Sequence, residues 1–194
     1  QTQGVDFSME DKEKIALALD NLGVDYIEAG WPGANPTDTE FFQKKHDFKN
    51  SKLTSFGMTK RSGRSAENDT GLSAIMNSNT SAVCLVGKSW DFHVDVALGI
   101  TNEENLNNIS ESAKHFVKAK KEFMFDAEHF FDGYKANPKY ALSCIKAAYD
   151  QGARWVILCD TNGGTLPHEV TQIIGEVTKV VPGKYLGIHA HNDT

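Results

Sequence analysis

Short apolar runs alternate with longer amphipathic stretches along the whole chain. Six such runs, each four to six residues long, are separated by polar or glycine-containing turns and helix-length segments. They occupy residues 26–30, 53–57, 82–87, 123–126, 155–160 and 186–189. Their starts lie 27 to 41 residues apart, which leaves room for one crossover helix between neighbouring runs. The pattern therefore predicts six parallel strands joined by helices.

The stretches between the runs carry helix signals. Ser8 and Asp11 have the spacing of a capping box, and Gly23 ends the amphipathic segment that follows. Pro138 and Pro167 each stand where the first turn of a helix accepts a proline. Apolar residues at helical spacing indicate the inward faces. These are Ile15, Leu19 and Leu22, then Leu106, Ile109, Ala113, Phe116 and Val117, and finally Val170, Ile173, Ile174 and Val177.

Alternating strand and helix units leave two architectures, a (β/α)8 TIM barrel and an open doubly wound sheet. The doubly wound sheet usually has a glycine-rich phosphate loop after its first strand, and the sequence contains neither GxGxxG nor GxxxxGK[ST]. Polar residues instead follow several different strands, which is where a barrel places its active site. We therefore expect an α/β fold of the TIM (β/α)8 type, of which only six strands are visible.

Composition narrows the class of protein further. The chain has 194 residues, with 20 Lys and Arg against 26 Asp and Glu, so its net charge of −6 argues against a nucleic-acid partner. No apolar run approaches the ~18 residues of a membrane span, so we expect no membrane partner. Cys84, Cys144 and Cys159 have no CxxC spacing and form no disulfide framework, which favours the reducing cytoplasm.

The sequence HAHND at the end of the sixth run is the strongest local signal. Residues two apart in a strand point to the same side, so His189 and His191 present two imidazoles together. Paired imidazoles are a common way to hold a divalent metal ion, and Asn192 and Asp193 could support it. The spacing leaves Zn, Mn, Mg and Co open. The alternative is a pair of hydrogen-bonded histidines without a metal.

Polar residues also end the fourth and fifth runs. Asp126 and Glu128 share a side, so mutual repulsion could raise the pKa of one carboxyl and suit it to acid–base chemistry. The alternative is a solvated strand end. Asp160 and Thr161 could bind a substrate carboxylate or orient a metal ligand, but taken alone they favour a turn followed by a helix cap. Cys159 has no adjacent base and is interpreted as a packed thiol.

Together these motifs resemble those of the metal-dependent enzymes that condense acyl-CoA with 2-oxo acids. The family comprises 2-isopropylmalate, homocitrate and citramalate synthases, with 3-hydroxy-3-methylglutaryl-CoA lyase as a relative. HAHND matches its metal-binding HxHND strand. Further stretches are similar to the citramalate synthase branch, namely GWPGANP, FGMTKRSGRSAEND, GKSWDFHV, FDAEHFFDGYKANP and CDTNGGTLPHE. The likeness covers essentially the whole chain, and several blocks in one order are far more specific than any single motif.

The resemblance implies an acyltransferase that converts acetyl-CoA, pyruvate and water to citramalate and CoA in branched-chain amino-acid biosynthesis. It implies a divalent metal cofactor and a set of site residues. The implied catalytic residue is Glu128. The implied substrate-binding residues are Thr161, Asp126 and His93. The implied metal ligands are His189 and His191, supported by Asn192, Asp193 and Asp160.

The same resemblance leaves alternatives open. A 2-isopropylmalate synthase would use the bulkier 2-oxoisovalerate, whereas a lyase is less similar. In the family, an Arg–Asp–Gly strand precedes the position of Gln1, and a GxGERxGN motif would follow Thr194. We therefore expect residues 1–194 to be a partial catalytic barrel domain that lacks the first and eighth strands and a C-terminal regulatory domain. We expect this piece to be inactive alone and the full-length protein to be a homodimer. The remaining alternative is an inactive barrel piece that serves only in association.

Overall fold

A computed structural model describes residues 4–191. Within these residues the strands are β1 (Tyr26–Glu28), β2 (Lys52–Met58), β3 (Ala82–Lys88), β4 (Glu122–Glu128), β5 (Trp155–Asp160) and β6 (Leu186–Ala190). The helices are α1 (Met9–Leu22), α2 (Pro36–Gln43), α3 (Thr70–Met76), α4 (Asp91–His93), α5 (Asn102–Lys118), α6 (Phe130–Ala136), α7 (Pro138–Tyr149) and α8 (Pro167–Val177). A π-helical turn, Val94–Leu98, continues α4. None of the helices in this part of the chain is both long and apolar enough to cross a bilayer.

The six strands form one parallel sheet in the order of the sequence, β1-β2-β3-β4-β5-β6. A doubly wound sheet would reverse its order at a switch point, whereas sequential order is that of a barrel. The sheet is also strongly curled. The Tyr26 hydroxyl of β1 donates to Glu122 of β4 and accepts from the Trp155 Nε1–H of β5 at 3.2 Å. The expected partial TIM barrel is therefore confirmed.

Alternate residues of each strand face the helices or the inside of the curl, which sets the position of the site. On β4, Phe123 and Phe125 are buried against the helices, while Met124 and Asp126 face inward. The outer layer is the main core of the molecule. It includes Val83, Leu85, Ile109, Ala113, Phe116, Ile145, Ile173 and Val177. The inward stripes expected for α5 and α8 are therefore confirmed.

The predicted caps of helix α1 are confirmed, but its predicted apolar face is only partly buried. The Ser8 side chain accepts from the Asp11 N–H, the Asp11 carboxylate accepts from the Ser8 N–H, and Gly23 ends the helix with φ 86°. However, Ile15 and Leu22 are 42% and 75% exposed, so the prediction that they face inward is wrong. The reason is that α1 covers the edge strand β1, and no element of the described chain packs on its far side.

Candidate active site

A cavity of about 460 Å³, here called the barrel cavity, opens inside the curled sheet. Every strand contributes to its lining, directly or through the residue that follows it. The lining residues are Tyr26, Glu28, Thr54, Phe56, Cys84, Val86, Met124, Asp126, Glu128, Ile157, Cys159, Thr161, His189 and His191. Five side chains predicted from separate motifs are therefore neighbours in space. They are Asp126, Glu128, Thr161, His189 and His191.

The two histidines predicted to bind a metal ion lie close together, and of the two only His189 belongs to a cluster of potential ligand atoms among the described residues. His189 and His191 both line the barrel cavity, and their ring centroids are 5.2 Å apart. Ligand atoms of Asp126, Cys159 and His189 lie within 4.8 Å of one another. Two imidazoles and a carboxylate form a donor set that fits a divalent metal ion. The other predicted supporting residues on this strand, Asn192 and Asp193, lie outside the described residues.

A second carboxyl, to which the sequence analysis gave no role, faces the Asp126 carboxyl. Ligand atoms of Glu28, Cys84 and Asp126 lie within 4.8 Å of one another. Burial, followed by the charge of Asp126, raises the pKa of Glu28 to about 7. Burial also raises the pKa of Asp126. A hydrogen bond from Cys84 and the charge of the nearby His189 act in the opposite direction and offset only part of this increase. This wall of the cavity therefore carries fewer negative charges at neutral pH than its carboxyl groups suggest.

The cysteine thiols of the cavity are not nucleophiles. Cys84 and Cys159 are buried and free, and burial raises the pKa of each thiol above its ordinary value. Neighbouring carboxylates act in the same direction. A protonated thiol is a weak nucleophile, so the geometry supports the packed-thiol interpretation of Cys159.

The carboxyl end of β4 is fastened to both neighbouring strands. The Glu128 carbonyl oxygen accepts from the Ser89 hydroxyl at 2.7 Å and from the Ser89 N–H at 3.2 Å. The next residue, His129, has φ 54° and ψ 34°, a left-handed conformation that side chains rarely adopt. This turn lets the His129 N–H donate to the Thr161 Oγ1 at 2.9 Å. Glu128 and Thr161 thus hold a fixed position relative to each other.

The side chain of Glu128 has a partner of its own. Its Oε2 accepts from the Lys88 Nζ, and the two side chains are 26% and 17% exposed. Both residues end adjacent strands in register, because Lys88 pairs with Glu128 across β3 and β4. The ion pair orients the carboxylate at the rim of the barrel cavity.

Two other predicted residues lie elsewhere. His93 follows Trp90 and Phe92 in α4 and packs edge-to-face on His129 at 4.4 Å, and it lines neither the barrel cavity nor the cavity that adjoins it. Its substrate-binding role stays a prediction. The Asp160 carboxylate accepts from the Thr165 N–H and hydroxyl at 3.0 and 2.9 Å. Asp160 therefore stabilises the turn after β5, and its support of the metal ligands also stays a prediction.

A second cavity, here called the side cavity, adjoins the first and has a volume of about 330 Å³. It lies at the carboxyl ends of β2 and β3, beneath the N-terminal half of α5. Val86 and Glu128 line both cavities, so Glu128 stands where the two meet. The other residues of the side cavity are Trp31, Met58, Thr59, Lys60, Arg61, Ser62, Asp69, Gly71, Gly87, Lys88, Leu98, Ile100, Asn105 and Asn108.

Sequential parallel strands with polar residues at their carboxyl ends define a protein of the TIM-barrel class. The profile of the HMGL-like family matches residues 1–194, and the chain belongs to that family. Membership supports dependence on a divalent metal ion without distinguishing which one. The resemblance of the sequence motifs to acyl-CoA-condensing enzymes is thereby confirmed.

Similar curated proteins are (R)-citramalate synthases. The proteins from Aquifex aeolicus and Geobacter sulfurreducens are 52% and 46% identical over 100% of this chain. A 2-isopropylmalate synthase from Sulfolobus acidocaldarius is 29% identical over the same span. This chain covers 37% of each of the two citramalate synthases and 48% of the isopropylmalate synthase.

Solved structures show the same fold at low identity. A hydroxymethylglutaryl-CoA lyase from Pseudomonas aeruginosa superimposes with a TM-score of 0.80 and 16% identity, covering 98% of this chain and 63% of that one. The lyase from Brucella melitensis gives a TM-score of 0.79 at 17% identity, covering 99% of this chain and 68% of the other. At these identities the likeness concerns the fold alone.

Proposed function

We propose that the protein containing this chain condenses acetyl-CoA with pyruvate to form citramalate and CoA. The observation that carries the proposal is the identity of 41–52% to (R)-citramalate synthases over the whole chain. The identity to a 2-isopropylmalate synthase is lower, at 29%. The barrel cavity supports the same conclusion because it gathers a carboxylate, a hydroxyl and two imidazoles at one end of the sheet.

His189 and His191 would hold the divalent metal ion. Asp126, which the resemblance assigns to substrate binding, has a carboxylate oxygen within 4.8 Å of a ring nitrogen of His189 and so faces the same site. A bound metal ion supplies Lewis-acid polarisation of the keto group of the 2-oxo acid. The cavity walls beside these ligands include Phe56, Met124 and Ile157. In this proposal these apolar side chains contact the methyl group of pyruvate, and a steric clash there rejects the isopropyl group more strongly than lost burial does.

In this proposal Thr161 binds the substrate carboxylate. Its oxygen already accepts the His129 N–H, so the hydroxyl proton remains free to be donated. Thr161 lines the barrel cavity, and the only charged end of a 2-oxo acid is its carboxylate. The hydroxyl therefore donates a charge-assisted hydrogen bond that orients the acid.

In this proposal Glu128 acts on the acetyl group. The carboxylate stands between the two cavities and is held by Lys88, Ser89 and the turn at His129. Condensation requires a base that removes a proton from the acetyl methyl group, and a carboxylate at the junction can accept that proton or direct the group that does.

The unpaired cysteines of the described chain support our placement of this chemistry in a reducing compartment such as the cytoplasm.

The test is a CoA-release assay on the full-length protein with pyruvate and 2-oxoisovalerate. We expect metal-dependent release with a higher kcat/KM for pyruvate. Glu128→Gln should lower kcat about a hundredfold or more, as expected for loss of acid–base chemistry. Glu40→Gln is the matched control, because it makes the same change at an exposed position of α2 and should leave kcat unchanged.

Each other result has a defined meaning. A preference for 2-oxoisovalerate would move the assignment to isopropylmalate synthesis. Wild-type kcat in Glu128→Gln would remove the glutamate from the chemistry. No release with any 2-oxo acid would refute the proposed function.

A further inference from the structure

A single peptide group connects the two halves of the proposed chemistry. The carbonyl oxygen of Glu128 and the N–H of His129 belong to the same trans peptide group, so they point in opposite directions. The oxygen accepts from Ser89, which follows β3, and the N–H donates to Thr161, which follows β5. The orientation of this peptide group therefore sets the positions of Glu128 and Thr161 together.

That orientation depends on an uncommon backbone conformation of His129. Its φ of 54° lies in the left-handed region, which costs free energy for a residue with a side chain. A conformation of this kind persists only where the surrounding structure holds it. Glycine would adopt it at no steric cost, whereas histidine needs favourable contacts of its ring to offset the strain.

The imidazole of His129 makes such contacts. Its side chain is 13% exposed, and the ring of His93 packs on it edge-to-face, with 4.4 Å between the centroids and 87° between the planes. The Trp90 ring centroid lies 6.0 Å away, and the Asp132 Oδ2 lies 3.7 Å from the His129 Nδ1, beyond hydrogen-bond distance. Edge-to-face packing of aromatic rings is favourable in its own right. The His129 ring is therefore held by the shape of its neighbours.

The contact between the two histidines does not use their facing nitrogens. The Nδ1 atoms of His93 and His129 are both buried, and neither has a hydrogen-bond partner within the described chain. Burial, followed by the charge of His129, lowers the pKa of His93, so His93 is neutral at neutral pH. Trp90 packs on the His93 ring as well, at 4.7 Å between centroids. What the pair contributes is therefore the position of its rings.

We infer that the His129 imidazole is a positioning residue for both Glu128 and Thr161, and that His93 acts on the reaction by packing against this imidazole instead of contacting the substrate. This inference rests on the proposed function. It differs from the substrate-binding role that the family resemblance implies for His93. The indirect role is supported by the location of His93, which lines neither the barrel cavity nor the side cavity.

The experiment measures initial rates of CoA release and urea unfolding for the full-length protein and its variants. His129→Gly keeps the left-handed conformation accessible but removes the ring. We expect kcat to fall about ten- to hundredfold, because Glu128 is no longer held in place, and KM for pyruvate to rise severalfold, because Thr161 shifts with it. The urea midpoint should stay close to that of wild type, since relief of backbone strain offsets the lost packing.

A double variant distinguishes the indirect role of His93 from a direct one. His93→Ala alone should lower kcat about tenfold, whereas in the His129→Gly background it should cause no further loss. A His93 that contacts the substrate would lower kcat/KM by the same factor in both backgrounds. His115→Ala is the matched control and should keep wild-type kcat. Its ring likewise packs edge-to-face, on Phe116 at 5.3 Å, and its Nδ1 lies 3.8 Å from the Glu67 carboxylate.

Wild-type kcat and KM in His129→Gly would overturn the inference, and so would losses that multiply in the double variant. A fall in kcat that only follows the loss of folded protein would overturn it as well. His129→Asn, which also tolerates the left-handed conformation, should show the same changes in kcat and KM if the glycine disturbs folding. The wild type separates the two proposals. Turnover by wild type with unaltered His129 variants removes only this inference, whereas no CoA release by wild type refutes the proposed function.

Discussion

Replacing Thr161 with valine tests the orientation of the substrate acid. Valine has the shape of threonine but no hydroxyl, so the change removes the proposed donor to the carboxylate. The His129 N–H at 2.9 Å fixes the threonine oxygen as an acceptor, which leaves its proton for the substrate. Hydrogen bonds to charged groups contribute about 1.5–3 kcal/mol. Since about 1.4 kcal/mol corresponds to a factor of ten, kcat/KM for pyruvate should fall about ten- to hundredfold.

The loss should fall mainly on KM for pyruvate. A carboxylate contact is made equally in the ground state and the transition state, so its removal raises KM. Loss of the acceptor for the His129 N–H, which helps to position Glu128, should add a smaller decrease in kcat. The KM for acetyl-CoA should not change. Because a threonine hydroxyl does not titrate, the penalty should be constant across the neutral pH range. The assay is initial-rate CoA release by the full-length protein at varied pyruvate concentration.

Thr161→Ser is the control, since serine keeps the hydroxyl and should retain most of the activity. The valine variant also leaves the His129 N–H without its acceptor, which should cost about 1–3 kcal/mol of unfolding free energy. Urea unfolding of the same preparations measures that cost. A valine variant within threefold of wild type would refute the reasoning, and so would a serine variant as impaired as valine.

Two further predictions concern stability. Asp69 caps α3, and its carboxylate accepts from the Leu72 and Arg61 N–H groups at 3.0 and 2.9 Å. Asp69→Ala should therefore lower the unfolding free energy by about 1–2 kcal/mol at pH 7. The control is Asp47→Ala, which makes the same change at an exposed position. Burial opposes ionisation of Asp69, but these N–H groups lower its pKa below the usual 3.8. The stabilisation by the carboxylate is therefore complete above pH 3.8 and should shrink as the pH falls through the lower folded-state pKa. A difference in unfolding free energy between wild type and Asp69→Ala that grows on acidification would contradict this. Gly133→Ala would place a Cβ 2.5 Å from the Ser89 carbonyl oxygen and should lower the unfolding free energy by about 1–3 kcal/mol. The control is Gly164→Ala, whose Cβ meets open space and should leave stability nearly unchanged. Equal urea midpoints for the two variants would contradict the steric argument.

The strands could be predicted from sequence because each is a short apolar run in a protein whose helices cover the sheet. Four of the predicted runs, at 26–30, 82–87, 155–160 and 186–189, begin at the first residue of a strand of the structure. Parallel strands buried under helices carry a continuous apolar signal that few loops imitate. The spacing predicted parallel strands, because each interval has room for a crossover helix, whereas the sequential order followed from the expected barrel.

The short helices were harder to predict. Helix α2 has eight residues, and its cap signal, Asn35 followed by Pro36, lies in a glycine- and proline-rich segment that is equally typical of a turn. Helix α6 has seven residues and begins after His129 in the left-handed conformation. Elements of two turns contain too few residues for an apolar period to be distinguished from chance. Their stability comes from tertiary packing, as the burial of Phe130 and Phe131 shows.

The site could be predicted only where its residues follow the strands. The five side chains that the structure brings together end strands or come directly after them, and parallel strands necessarily bring their ends together. The contact between His93 and His129 gave no such signal, because no sequence pattern pairs two residues that follow different strands. Only three-dimensional packing shows that the two rings meet edge-to-face with buried Nδ1 atoms.

The position of Glu128 explains why one residue can serve two cavities. Strand β4 lies in the middle of the sheet, so its end is reached from β3 on one side and from β5 on the other. On the β3 side, Ser89 donates to the Glu128 carbonyl oxygen and Lys88 donates to the Glu128 carboxylate. On the β5 side, Thr161 accepts the N–H of His129. A catalytic group must be held within a fraction of an ångström of its productive position, and fastening from both sides achieves this without a closing loop. The left-handed turn at His129 is what makes the two fastenings compatible, so its backbone strain serves the geometry of the site.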